Sequence, residues 1–522
     1  MTTLAPAAEL VRSRAAARVS GWLLSVVGLA LAAGLLPLAL SACCAPAGLT
    51  GFGTPWFSND FAQYESALRQ GAQQPGWLVH DQLTAEPHQP AFMFPLYVLL
   101  GKISAITHVS GEWLERGTEI LARAALVIAL WRFCETFASG RAAARAALLL
   151  TLFGGGFELF AAALRAPYTG NWSYEANTFG LLFSAPHIPL ALAATLELAR
   201  AWLRPVRAPA ASALIAAAGL GASIALLHPF HVPVLLAAVG LVGLVYWRTG
   251  QGSGSLMGAV AAGLGAAPVL WPTVQTFNFD PFWSATYRAQ NLLPSPAPHE
   301  LLIEFGPTLL LALGGAYALR GRVAPFGILI WLLLGAIAMY VPVPYQRRLS
   351  FGLHPALAVV AANTLIATCA ALSPRRAAWL RRVVVALAPS STVLILAGMS
   401  YSAVLNWPTH VYRSTTDLDA AARWLDERAG PNEVILADWD VSNYLAARTP
   451  ARVMGGHPVA TLRAAEKQAM IGTVFAHTAS REVARQFGAQ WLVYGPDEAD
   501  VPGPPGPVFQ SGPVRVYHVD RE

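Results

Sequence analysis

Ala91-Phe92-Met93-Phe94-Pro95-Leu96-Tyr97-Val98-Leu99-Leu100-Gly101-Lys102 opens an apolar segment that runs to His108, and its reading decides the topology of everything after it. If the segment crosses a membrane, every later arginine cluster falls on the outer side. It is short, and it carries Pro95 and Lys102. Read instead as a helix lying along the outer surface, it puts the later clusters in order: Arg132, Arg141 and Arg145; Arg200, Arg204 and Arg207; Arg248; Arg320 and Arg322; Arg375, Arg376, Arg381 and Arg382. All of these then lie inside, with Arg12, Arg14 and Arg18 ahead of the first span, as the bias of positive charge toward the cytoplasm requires.

The composition agrees with a membrane protein. Of 522 residues, 55% are hydrophobic and 12% charged, and the mean hydropathy is +0.47. The expectation is an α-helical polytopic membrane protein of about 11 spans over residues 1–405. The first span is an uncleaved anchor near Gly21–Leu40, followed by a long outer loop, 41–116. The N-terminus is expected in the cytoplasm and the C-terminus outside, in the inner membrane of a bacterium. The net charge of +6 belongs to arginines at helix ends, so no nucleic acid is expected as a partner; membrane lipids are. Cys43, Cys44, Cys134 and Cys369 show neither CxxC nor zinc spacing.

After Trp407 the chain changes character. Mixed charges and shorter periods predict a small C-terminal α/β domain, 406–522, on the outer face. Helices are expected at Asp417–Arg428 and Thr461–His477, and strands at Glu433–Ala437, Arg452–Met454, Gln490–Tyr494 and Pro513–Val519. Asp438-Trp439-Asp440 reads as a polar turn and Pro502–Pro507 as a loop. No phosphate-binding glycine motif supports a nucleotide.

This topology puts nearly all the chemistry-bearing side chains outside. Trp56-Phe57-Ser58-Asn59-Asp60-Phe61-Ala62-Gln63-Tyr64 sets a carboxylate among aromatic residues just above the bilayer, where Asp60 can serve as a general base or merely cap a helix. Glu86 and His88, two residues apart, can hold a sugar hydroxyl or help to bind a divalent metal ion. Glu175, His228 and His231 are further donors. His187 lies at the outer leaflet, where an ionisable group is functional by default. Arg347 and Arg348 break the positive-inside pattern and suit a phosphate. Arg123 is a secondary phosphate candidate, and Glu158 is expected to pair with Arg123 or Arg165.

These features together resemble the GT-C class of membrane glycosyltransferases, which includes protein O-mannosyltransferases and the lipid A aminoarabinose transferase. The resemblance rests on Asp60 early in a long outer loop and on His88-Gln89-Pro90-Ala91-Phe92 leading into Pro95-Leu96-Tyr97-Val98-Leu99-Leu100-Gly101. Arg123 in the second span and the soluble segment after the last span complete it. It implies a polyprenyl-phosphate sugar as donor and a glycan, lipid or protein as acceptor. Asp60 would be the base, with Arg347 or Arg348 on the phosphate. Asn59, where some members have a second acid, leaves metal use open. A transporter or flippase of lipid-linked substrates, and a non-catalytic envelope assembly protein, are the competing readings. No internal repeat favours the former.

Overall fold

The computed structural model describes residues 21–51, 58–165, 177–318, 326–405, 413–477 and 480–520. Among these, six helical stretches are long and apolar enough to cross a bilayer: Gly21–Cys43, Arg141–Ala163, Pro229–Arg248, Gly254–Phe279, Gln346–Ala371 and Pro374–Leu405. Shorter apolar helices lie at Pro95–Thr107, Ala211–Leu227 and Phe326–Ala338. The chain is a multi-pass membrane protein. Close approach of small residues packs the bundle. A Cβ on Gly221 would lie 2.0 Å from Ala262 O, and one on Gly265 1.9 Å from Ala218 O. The two helices therefore touch backbone to backbone, as small residues allow within a membrane.

The Pro95–Thr107 helix has 13 residues and reaches about 20 Å, short of the ~30 Å hydrocarbon layer. Tyr97, Val98, Leu100 and Gly101 are buried, whereas Leu99 and Ile106 are exposed. That is an apolar face available to an interface. Its inner face lies on the Ser58–Gln73 helix through two glycines. A Cβ on Gly71 would meet Val98 O at 2.4 Å, and one on Gly101 would meet Leu68 O at 2.0 Å. Phe94 enters the helix in the left-handed region, φ 52° and ψ 46°, and its ring packs edge-on against Tyr64 at 5.2 Å. The helix carrying Asp60 is thus seated on a rigid shelf.

Glu158 does not pair with Arg123 or Arg165. Its carboxylate takes the Ser391 hydroxyl, and its backbone N–H donates to Ser391 Oγ at 3.2 Å. Gly154, Gly155 and Gly156 precede it and bring the two backbones close enough for a serine to reach.

Beyond the last helix, β2 (Arg413–Thr415) pairs antiparallel with β1 (Leu49–Gly51) from the first loop. The remaining strands are β3 (Val434–Leu436), β4 (Arg452–Val453), β5 (Trp491–Tyr494), β6 (Phe509–Ser511) and β7 (Val514–His518). They form one sheet in the order β4-β3-β5-β7-β6. β3 is parallel to β4 and to β5, and β7 is antiparallel to β5 and β6. Alternate residues serve opposite faces. Ile435, Trp491 and Val493 join one core with Leu418, Leu425 and Leu445, while Val434, Leu436, Leu492 and Tyr494 join another with Ile471 and Phe475. Leu83 of the first loop lies within the former.

Two local readings are corrected. Asp438-Trp439-Asp440 is no turn: Asp438 caps the Trp439–Arg448 helix, its carboxylate accepting from Asp440 N–H at 3.2 Å. The Thr461–His477 helix starts at Ala464, because Thr461 is held by other bonds.

Candidate active site

Asp60 is the third residue of the Ser58–Gln73 helix. Its Oδ1 lies 2.9 Å from His457 Nε2. The Asp60 side chain keeps 39% of its exposure whereas His457 is sealed at 2%, so the carboxylate is reachable and its partner is not. The Gln63 amide, one turn on, lies 2.8 Å from the same imidazole nitrogen. Tyr287 O–H reaches Gln63 Oε1 at 2.6 Å and Asp81 Oδ2 at 3.3 Å. The hydrogen-bonded chain runs Asp60, His457, Gln63, Tyr287, Asp81.

Asp81 is buried. Burial pushes its carboxyl up to about 7, against the opposing pull of the Leu83 N–H, His457 and Tyr287. Beside it, a cavity of about 20 Å³ is lined by Gln63, Gln70, Asp81 and Tyr287, space for one water. Burial likewise raises Tyr287 well above its ordinary value, with Asp81 and Asp60 adding to the effect.

A second wall is aromatic and cationic. Tyr64 stacks on Tyr97 at 4.6 Å, and Tyr97 O–H lies 2.9 Å from His187 Nδ1. His187 is within electrostatic reach of both Asp60 and Arg348. His228 stacks on His231 at 4.1 Å, and His231 on Phe351 at 3.5 Å. The Arg348 guanidinium sits over Phe230 at 4.7 Å. His228 Nδ1 and both His231 nitrogens are buried with no hydrogen bond among the described residues. The turn bearing Arg347 and Arg348 is fixed by backbone bonds from Arg347 N–H to Leu293 O at 3.2 Å and from Leu293 N–H to Pro344 O at 2.7 Å. Asp60, His187, His228, His231 and Arg348 therefore belong to one neighbourhood.

The other sequence candidates are engaged elsewhere. Glu86 takes Lys467 Nζ at 2.8 Å and the Thr84 hydroxyl. Burial alone would raise it, but these two donors outweigh burial and hold it low. His88 accepts the Asp81 N–H at 2.9 Å and stacks on Phe282 at 4.0 Å; burial lowers its pKa. In the described contacts both residues shape the first loop. Arg123 is buried on the Gly111–Phe137 helix and bonds Glu119 at 3.1 Å. Glu175 lies outside the described residues.

His457, Gln63, Asp81, Tyr287 and Tyr97 escaped the sequence reading. Only His457 carried a signal: Gly455-Gly456-His457-Pro458 is a tight glycine pair presenting an imidazole. As for the divalent ion, among the described residues no three His, Cys, Asp or Glu side chains group to hold one.

No protein-family model matches this sequence, and no curated protein matches it. Solved structures do. The Archaeoglobus fulgidus oligosaccharyltransferase, tethered with an acceptor peptide containing the NVT sequon, superimposes with a TM-score of 0.51 at 15% identity, over 91% of this chain and 69% of that one. The same enzyme in complex with Zn and sulfate gives 0.51 at 15%, over 90% and 67%. ArnT from Cupriavidus metallidurans, bound to undecaprenyl phosphate, gives 0.51 at 14%, over 96% and 98%. The chain shares the fold of this oligosaccharyltransferase and of ArnT.

Proposed function

We propose that this protein transfers a sugar from a polyprenyl-phosphate donor to a hydroxyl acceptor at the outer membrane–water boundary. The observation that carries the reading is that an accessible carboxylate, Asp60, and a cation, Arg348, both lie within electrostatic reach of His187. Asp60 takes the proton of the acceptor hydroxyl as its oxygen bonds to sugar C1. The C1–O bond to phosphate breaks, and the departing lipid phosphate keeps the electron pair beside Arg348, with Arg347 on the same turn. Direct displacement inverts C1. The unbonded nitrogens of His228 and His231 favour a polar ligand there, and the exposed face of the Pro95–Thr107 helix suits the lipid boundary.

Binding of undecaprenyl phosphate by ArnT supports a lipid-phosphate donor here. We assign the N-terminus to the cytoplasm, the C-terminal α/β segment to the outer side, and the chain to a bacterial inner membrane. Purified protein in nanodiscs, offered a panel of polyprenyl-phosphate sugars with candidate acceptors, tests the reading. Release of free polyprenyl phosphate by wild type and not by Asp60→Asn is expected. Equal release by both would remove Asp60 from the reaction.

A further inference from the structure

His457 is delivered to Asp60 by a loop built for close contact. A Cβ on Gly456 would lie 2.7 Å from Asn443 N, so only glycine lets the strand pass the Trp439–Arg448 helix. Thr461 Oγ1 accepts the N–H groups of Gly456 and His457, each at 3.1 Å, and donates to Leu83 O at 2.6 Å. Asn443 Nδ2 bonds Gly456 O at 2.9 Å and Asn59 O at 3.2 Å. Asn443 thus ties the loop to the residue next to Asp60, while His457 holds Asp60 through its side chain.

Resting on the reading of Asp60 as the base, we propose that His457 is its positioning residue: a neutral imidazole locked as the Nε2–H tautomer, donating to Oδ1 and leaving Oδ2 to the acceptor. The proton count fixes the tautomer. Nδ1 faces two donors, the N–H groups of Val459 and Ala460, each at 3.0 Å. It is the acceptor and carries no hydrogen, so the single proton of the neutral ring sits on Nε2. A second proton would break both bonds and set N–H against N–H inside a ring 1% exposed. His457 therefore neither takes the acceptor's proton nor serves as a cation. Gln63 follows from it. Its amide turns its oxygen toward Nε2–H and its NH₂ toward Tyr287, an exchange that leaves the distances unchanged. The Tyr287 O–H then donates to Asp81 Oδ2. The site is completed by a segment nearly 400 residues from Asp60 along the chain.

The test uses the full chain in nanodiscs. His457→Ala is expected to lower kcat about 10- to 100-fold, the scale of a misplaced reacting group, with KM for the donor within about twofold. His457→Gln, whose Nε2 can stand where the ring nitrogen stood, should recover most of the loss. Nitrogen-15 imidazole NMR, assigned by difference against His457→Gln, reads the ring without turnover. It should show a protonated Nε2 and a bare Nδ1, with the Nε2 signal perturbed by Asp60→Asn. Wild-type kcat in His457→Ala would overturn the role, and so would a ring that carries its proton on Nδ1. Absence of turnover by wild type would instead count against the glycosyltransferase reading, and the NMR result would still decide the tautomer.

Discussion

Arg448 Nη1 meets Glu65 Oε2 at 2.8 Å, joining the C-terminal helix Trp439–Arg448 to the helix that bears Asp60. Glu65 lies one turn and a residue beyond Asp60, so the pair sets the roll of the helix on which the carboxylate stands. Arg448 also lies over the Tyr444 ring at 4.0 Å. Burial raises the Glu65 pKa, with Arg448 and Arg116 opposing it, and the carboxylate raises Arg448 against its own burial.

Truncating Glu65 leaves a guanidinium in a dry contact. Fully buried pairs lose about 3–5 kcal/mol on such removal. Here each side chain keeps about a fifth of its exposure, and Glu65→Ala should cost about 2 kcal/mol. Thermal unfolding should show the drop, and limited proteolysis faster release of the C-terminal segment. Glu65→Ala/Arg448→Met should be less damaging than Glu65→Ala alone. Equal losses would mean the pair does not couple.

Asp81 makes stability depend on pH. Its carboxyl is raised from 3.8 to about 7 in the folded chain. Between those values the folded state holds a proton that the unfolded state releases, so stability is lost as pH rises through that window. Asp81→Asn removes the titration while keeping an oxygen for the Leu83 N–H. Melting temperatures at about pH 5 and pH 8 should differ more in wild type than in Asp81→Asn. Parallel slopes would refute the assignment.

Arg348 is expected to bind phosphate with a plane as well as a charge. Arg348→Ala should weaken binding of polyprenyl phosphate about 10- to 100-fold, the scale of a charge-assisted bond. Arg348→Lys should recover only part, because an ammonium offers no paired fork to the phosphate oxygens. Titration of the lipid phosphate into nanodiscs measures both. Full recovery by lysine would leave charge alone as the explanation.

The glycine contact under the Asp60 helix can be tested against an open glycine. Gly101→Ala drives a methyl to 2.0 Å from Leu68 O and should cost about 1–3 kcal/mol, as overpacking does, with kcat falling too. Gly28→Ala meets nothing within 4 Å and should be neutral or gain up to about 1 kcal/mol of helix propensity. Similar losses at both would show that backbone approach is not what seats the helix.

Much of this was readable from the chain, for definite reasons. The multi-span helical character follows from apolar length, and the short Pro95–Thr107 helix from an apolar run bounded by Pro95 and His108. Strands β3, β5 and β7 announced themselves by apolar runs between turns. β6 did not: Phe509–Ser511 follows a proline-rich loop and alternates weakly. Asp60 stood out as a carboxylate among aromatic residues in the first loop, with a helix cap as the competing reading. Its partners did not, because His457 and Tyr287 lie in other segments, and pairing over such separations leaves no local period. Glu86 and His88 looked like ligands for the same reason they hold the loop: both are strong polar groups in a short turn, and sequence does not say whether the partner is a substrate or Lys467.

The most direct measurement is the transfer assay on wild type and Asp60→Asn side by side, both shown to be folded by their melting temperatures. Wild type is predicted to release free polyprenyl phosphate from a lipid-linked sugar, and Asp60→Asn to retain less than about a hundredth of that rate. Turnover of Asp60→Asn at the wild-type rate would contradict the account.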